Sequence, residues 1–263
     1  MAGTQPNSDS LEWGILRKLL SSAARVAAEQ APVIARFGHY GETVAELITG
    51  KQHKLADEGS YFLTRSPTPG TGLATIAAPT TFAATSPFLI VTNNNPVGGK
   101  NIFLDYLKLI CTAAGTGGTA LNFATVLDAG SRYTSGGSGG AGTQLASLLA
   151  GPYTPNMQAA GQSGALVYAG ALVAAAATAG ARTLSNSRFR TAIPVVNDEY
   201  VINFGGDSVA LDGVLVSGTA IAQRTVPHAP VVIAPGSSFL LHLWLPSQSA
   251  ASSYEVDIGH VER

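Results

Sequence analysis

In the C-terminal part of the chain, side-chain character alternates with a period of two. "FLLHLWL" sets Phe239, Leu241, Leu243 and Leu245 on one side and Leu240, His242 and Trp244 on the other. "YEVDIGHV" alternates Tyr254, Val256 and Ile258 with Glu255, Asp257 and Gly259, and "YVINF" aligns Tyr200, Ile202 and Phe204. An extended strand sends successive side chains to opposite faces, so the pattern predicts strands with one covered and one more exposed face. "PFLIVTN", "NIFLDYLKLICT", "ALNFATVL", "SVALDGVLV" and "PVVIAP" are further strand candidates. Turn formers separate them in "NNNPVGG", "AAGTGG", "FGGDS" and "APGSS". Short strands joined by Gly and Pro turns, with no helical period between them, predict a mainly β, antiparallel sandwich or barrel. About eight to ten strands suit a jelly-roll-like sandwich.

Charge marks a boundary. Residues 1–65 hold seven of the 15 basic and seven of the 16 acidic side chains. The expected division is therefore an N-terminal helical arm with its connector, 1–60, and a β domain, 61–263. "SDSLEWGILRKLLSSAARVAAEQAP" reads as a helix capped by Asp9 or Ser10 and stopped by Pro32. Leu11, Ile15, Leu19, Ala23 and Val26 form its apolar stripe, with Trp13 near the start. A second helical piece is expected over about Gly41 to Ile48, and "GKQHKLADEGS" reads as a polar connector.

From Tyr133 to Ala181, 49 consecutive residues lack Asp, Glu, Lys, Arg and His. Within them "GALVYAGALVAAAATAGA" is apolar, yet it is too short and too interrupted by glycine for a membrane span of about 20 residues. The expectation is a Gly/Ala/Ser-rich insertion, about 130–182, covered by sister or shell subunits, with Ala175 at the contact. Small uncharged side chains shed little water when another protein covers them.

The chemical motifs lack their required settings. Gly136, Ser138 and Gly140 match G-x-S-x-G, but the match lies in Gly/Ser low complexity rather than between strand and helix. "GTGGTA", Gly115 to Ala120, fits a loose dinucleotide pattern, but a strand rather than a helix is expected after it. The single cysteine, Cys111, sits in an apolar strand and reads as a small buried hydrophobe. No paired-carboxylate or metal-ligand spacing stands out, so no catalytic, cofactor or metal site is expected. A net charge of −1 gives no general attraction to nucleic acid or anionic lipid. The N-terminus has no basic-then-apolar leader, which points to ordinary cytoplasmic synthesis.

"PHAPVVIAPGSSFLLHLW" is similar to the late strands of cupins, which would make His228, His242 and His260 metal candidates. No H-x-H occurs, however, and His242 lies too far past Gly236 for the second cupin motif. "NIFLDYLKLICTAAGTGG" and "PVVIAPGSSFLLHLWLPSQSAASSYEVDIGHVER", with the arm and the uncharged insertion, resemble jelly-roll virion structural proteins. The closest likeness is to cement or decoration proteins of tailed-phage capsids. That resemblance implies an oligomer, often a trimer, bound to a major capsid protein on the virion surface, with no cofactor and no enzymatic activity. Leu11, Trp13, Ile15, Leu19, Val26 and Ala175 are then the candidate assembly residues. A jelly-roll major capsid protein is the alternative, and a tail-fibre or carbohydrate-binding β module the second.

Overall fold

The computed structural model describes residues 33–37, 43–47, 51–75, 79–136, 143–145, 152–155, 163–205 and 223–263. The chain divides into two compact units, 1–58 and 59–263.

In the first unit β1 (Val33–Phe37) pairs antiparallel with β2 (Thr43–Leu47), and α1 (Lys51–Asp57) follows. Two expectations are corrected here. The piece expected to be helical over Gly41 to Ile48 is strand at its centre. Thr43 and Val44 are β-branched and "TVAEL" pairs with the equally strand-prone "VIARF". The supposed connector holds a helix instead, because "KQHKLAD" is built of good helix formers and Lys54 reaches Glu58 four residues on, at 4.0 Å. The expected helix carrying Leu11, Trp13, Ile15, Leu19 and Val26 lies outside the described residues.

The second unit is mainly β. Its strands are β3 (Tyr61–Arg65), β4 (Leu73–Ala74), β5 (Leu89–Asn93), β6 (Ile102–Ala113), β7 (Thr116–Gly117), β8 (Leu121–Asp128), β9 (Tyr133–Gly136) and β10 (Thr143–Gln144). There follow β11 (Ala165–Ala169), β12 (Leu172–Ala174), β13 (Arg182–Arg190), β14 (Glu199–Phe204) and β15 (Gln223–His228). The last are β16 (Val232–Ile233), β17 (Ser238–Trp244), β18 (Gln248–Ala250) and β19 (Ser253–Glu262). One sheet runs β10-β11-β5-β17-β8-β13 and the other β15-β14-β6-β19-β3, with β16 on β6 and β4 on β19. Pairing is antiparallel except between β14 and β15, which run parallel.

The two sheets bury one core between them, as a sandwich does. Phe123, Phe239, Leu241 and Leu243 come from the first sheet, and Leu107, Tyr200, Ile202, Val256 and Ile258 from the second. These are the faces that the period-two pattern selected. "SVALDGVLV" lies outside the described residues.

The opposite face of β17 departs from expectation. Leu240 and His242 are as buried as the core side, since chain segments lie over this sheet as well. Ile90, Val126, Leu172, Ala174 and Leu240 form a second cluster there, with Tyr133 and Tyr168 packed against it. Those two rings stack at 3.7 Å between centroids.

The uncharged stretch is also corrected. β11 lies inside it and pairs with β5, and Ala165, Val167 and Ala169 belong to the main core. β12 and β9 pair with each other. Part of the stretch is therefore covered by its own sandwich, and its lack of charge there has the ordinary reason that core strands carry none. "GTGGTA" forms a turn with β7 in it and enters strand β8, with no helix at its end.

Candidate functional site

The three histidines of the β domain are all buried, each for a different structural reason. His228 bridges the sheets: one ring nitrogen is 2.7 Å from Thr125 Oγ1 and the other 2.8 Å from the Ala229 carbonyl. Burial lowers its pKa from the usual value. His242 projects from the outer face of β17 against Phe82, 4.9 Å between rings, and Trp244, two residues on along the same strand face, meets Phe82 edge-on at 5.8 Å. Its burial pushes the imidazole down to about 4, against the opposing pull of the Ala84 carbonyl. His260 stacks on Phe62 and lies 3.1 Å from Ser163 Oγ and 3.6 Å from Glu262 Oε1.

Ser163, His260 and Glu262 are the residue types of a nucleophilic triad, but not its arrangement. A triad needs the carboxylate on Nδ1 to orient the ring, leaving Nε2 for the hydroxyl. Here hydroxyl and carboxylate converge on Nε2, and His260 Nδ1 is buried with no hydrogen-bond partner. Ser163 also donates to Glu262 itself, and Glu262 Oε2 accepts from the Gly164 N–H at 3.2 Å. Burial would raise the Glu262 pKa, but bonds from His260, Ser163 and Gly164 hold it below the usual range. The cluster ties the end of β19 in one sheet to the approach of β11 in the other.

A second buried group lies under the outer layer. Arg132 and Asp128 form an ion pair at 2.8 Å, at 2% and 0% side-chain exposure. The guanidinium also donates to the Ala175 carbonyl at 2.6 Å and the Ala84 carbonyl at 2.9 Å, and the Arg132 carbonyl accepts from the Ala175 N–H. Asp128 further accepts from Gly130, from Thr178 N–H and from the Thr178 hydroxyl. Burial alone would raise its pKa; the bonds from Thr178, Arg132 and Gly130 prevail and hold it at about 2. One arginine thus clamps two surface segments, Thr80–Thr85 and Ala175–Gly180, onto the sandwich. Both segments are exposed and neither carries a charge.

Ala175 is exposed, its backbone fixed by the clamp. The other expected assembly residues, Leu11, Trp13, Ile15, Leu19 and Val26, lie outside the described residues. The Arg132 clamp was not foreseen. Its signal was present in the sequence: Asp128 and Arg132 are the last charges before the uncharged stretch.

On the outer face of the second sheet an open groove of about 300 Å³ is lined by Arg65, Pro69, Lys108, Ile110, Glu255 and Asp257. Its charges answer one another: Arg65 lies 3.5 Å from Asp257, Lys108 lies 3.8 Å from Glu199, and Glu255 accepts from the Gly70 N–H. Beside it β6 bulges, leaving Asp105 as the extra residue opposite Gly259 and His260. The bulge turns Asp105 and Tyr106 to one face, where Tyr61 donates to Asp105 at 2.8 Å and Tyr106 to Asp257 at 3.0 Å. Gly259 is required between the two rings, since a Cβ there would fall 2.4 Å from both Tyr106 Cε1 and the Tyr61 hydroxyl.

Cys111 is buried in β6, where burial pushes its thiol up to about 12, which leaves it protonated. Among the described residues no group of three or more His, Cys, Asp or Glu side chains is placed to hold a metal ion. Among the same residues no helix is long and apolar enough to cross a membrane. No protein-family model, curated protein or solved structure matches the chain.

Proposed function

We propose that this chain is a virion structural protein, a cement or decoration protein that binds and stabilises an icosahedral phage capsid through a jelly-roll domain. The observation that carries the reading is the nesting of strand pairs. β3 pairs with β19, β5 with β17, β6 with β14 and β8 with β13, first with last and inward. The first and third pairs lie in one sheet, the second and fourth in the other. A long antiparallel hairpin wrapped around itself would produce that alternation, which supports reading the sandwich as a jelly roll.

Jelly rolls serve capsid, lectin and cupin proteins alike, so the path alone does not choose a function. The surface favours a shell role. Thr80–Thr85 and Ala175–Gly180 are exposed, uncharged and held rigid from below by Arg132. A surface meant for water alone gains nothing from lacking charge, whereas a surface to be covered by protein loses little hydration on contact. In the groove Arg65 pairs with Asp257, and Lys108 pairs with Glu199 beside it, which leaves less for a glycan to satisfy. The partners of this reading are copies of the chain and the major capsid protein.

Electron microscopy and light scattering of the purified full chain separate the readings. A cement protein gives a discrete small oligomer that adds to preformed shells. Closed shells formed by the chain alone would transfer it to the major capsid class. Specific retention on a glycan array without shell binding would transfer it to the carbohydrate-binding class.

A further inference from the structure

Four loops meet at the end of the sandwich where β3, β6, β13 and β17 finish. Residues 66–75, 114–120, 191–197 and 245–252 contain no Asp, Glu, Lys, Arg or His. The loops are stitched into one surface. β7 pairs with β18, Thr119 N–H donates to the Pro246 carbonyl at 3.1 Å, and Thr75 N–H to the Ser252 carbonyl at 3.0 Å. Asn197 N–H donates to the Cys111 carbonyl at 2.8 Å, joining the 191–197 loop to the end of β6. Gly115 and Gly117 adopt φ of 72° and 69°, and a Cβ on them would fall 2.5 Å from the Ala250 carbonyl oxygen and 2.8 Å from that of Ser247. Backbones approach that closely only where no side chain intervenes.

The 191–197 loop is the apolar part of this end. "AIPVV" is five apolar residues in succession, and Ala192, Ile193 and Val196 are exposed, the last two at 36% and 44%. The loop stands on a buried ion pair. Asp198 accepts from Arg190 Nη1 on both oxygens, at 2.7 and 2.5 Å, from Val195 N–H at 2.7 Å and from the Tyr200 hydroxyl at 2.7 Å. Asn197 takes φ of 74°, a left-handed conformation that asparagine tolerates better than most residues. Exposed apolar side chains are therefore held still rather than left to fold inward.

We infer that this charge-free end is a self-association surface, on which a second copy of the chain docks with Ile193 and Val196 at the centre. A charged partner would lose hydration here and find no counter-charge within the four loops themselves; Arg65 and Glu255 stand outside them, in the groove beside Ser66 and Gly70. The chain itself offers a matching uncharged surface, the flank formed by Thr80–Thr85 and Ala175–Gly180. End against flank is a heterologous contact, which closes into a ring when the rotation permits. A net charge of −1 sets up little repulsion between copies. This surface deepens the shell-protein reading and rests on it only for its biological setting.

The test is sedimentation velocity of the full chain across a wide concentration range, for wild type, Val196→Glu and Ile193→Asp. Wild type is expected to associate, and each variant to need a concentration about a hundredfold higher, with an unchanged melting temperature. Hydrogen exchange of wild type, diluted across the transition, is expected to lose protection at 191–197 and 114–120. A wild type that stays monomeric overturns the inference, as do variants that associate normally. Should both variants misfold, the exchange experiment decides alone: protection that does not change in these loops overturns it. A wild type that associates through this end yet never joins particles supports the inference and counts against the shell-protein reading alone.

Discussion

Replacing Arg132 with methionine tests how the uncharged surface is held. Methionine keeps most of the stem's volume and removes the guanidinium. Asp128 would stay buried without its cation, and the loss of one partner of a buried pair costs about 3–5 kcal/mol. The lower end applies, because Asp128 keeps its bonds from Gly130 and from the Thr178 backbone and hydroxyl. The Ala84 and Ala175 carbonyls lose a donor as well, but those residues are exposed and water can replace it. The expected cost is thus about 3 kcal/mol, read from the urea midpoint of the full chain. Hydrogen exchange should quicken most at residues 80–85 and 174–180, beyond the general rise across β5, β8 and β17 that a lower global stability brings. An Asp128→Asn, Arg132→Met pair should cost clearly less than the sum of the singles, because the two side chains form one unit. A loss below about 1 kcal/mol, with unaltered exchange in both segments, would show that the clamp does not hold them.

Acid should weaken the fold in two steps. His242 and His228 have folded pKa values below the unfolded one, so their contribution is complete above about pH 6.5 and declines as pH falls. For His242 the loss continues to about pH 4 and amounts to about 3 kcal/mol. His242→Leu should flatten that part of the stability curve, and a slope as steep as wild type would contradict the assignment. Asp128 acts lower: its contribution is present above about pH 3.8, is lost toward pH 2, and is worth about 2 kcal/mol. Gly259→Ala should destabilise by about 1–3 kcal/mol in thermal melting, because Tyr106 and Tyr61 must move from the new methyl group. Ala175→Asp, at an exposed position, should leave the melting temperature within a degree or two while reducing incorporation into particles.

The strands were legible because alternation is a local signal. Tyr200, Ile202 and Phe204 face the core because the pleat puts them there, whatever their partners. What lies on the other face was not legible, since alternation names two sides without saying whether a second layer covers one. Leu240 and His242 were assigned to a more exposed side, and segments distant in sequence bury them. The same limit hid β11. A stretch of Ala, Gly and Val without charge looks alike whether its own sheet or another subunit covers it, and only the pairing with β5 separates the two. In the N-terminal unit, a helical reading of "GETVAELITG" overlooked the earlier "VIARF" that pairs with it. Among surface features, the charge-free end was missed although Ser66 to Gly99 runs for 34 residues without a charge. Its meaning emerges only once the topology brings four separate loops together.

The most direct test of the shell-protein reading is cryo-electron microscopy of particles purified from the source of this chain, with mass spectrometry of the same sample. The account predicts many copies per particle, seen as two-sheet β densities on the outer surface of the shell. Mild dissociation should remove them while the shell stays closed. Particles that lack the chain, or that carry it only as a few copies at a tail or as the continuous shell itself, would contradict it.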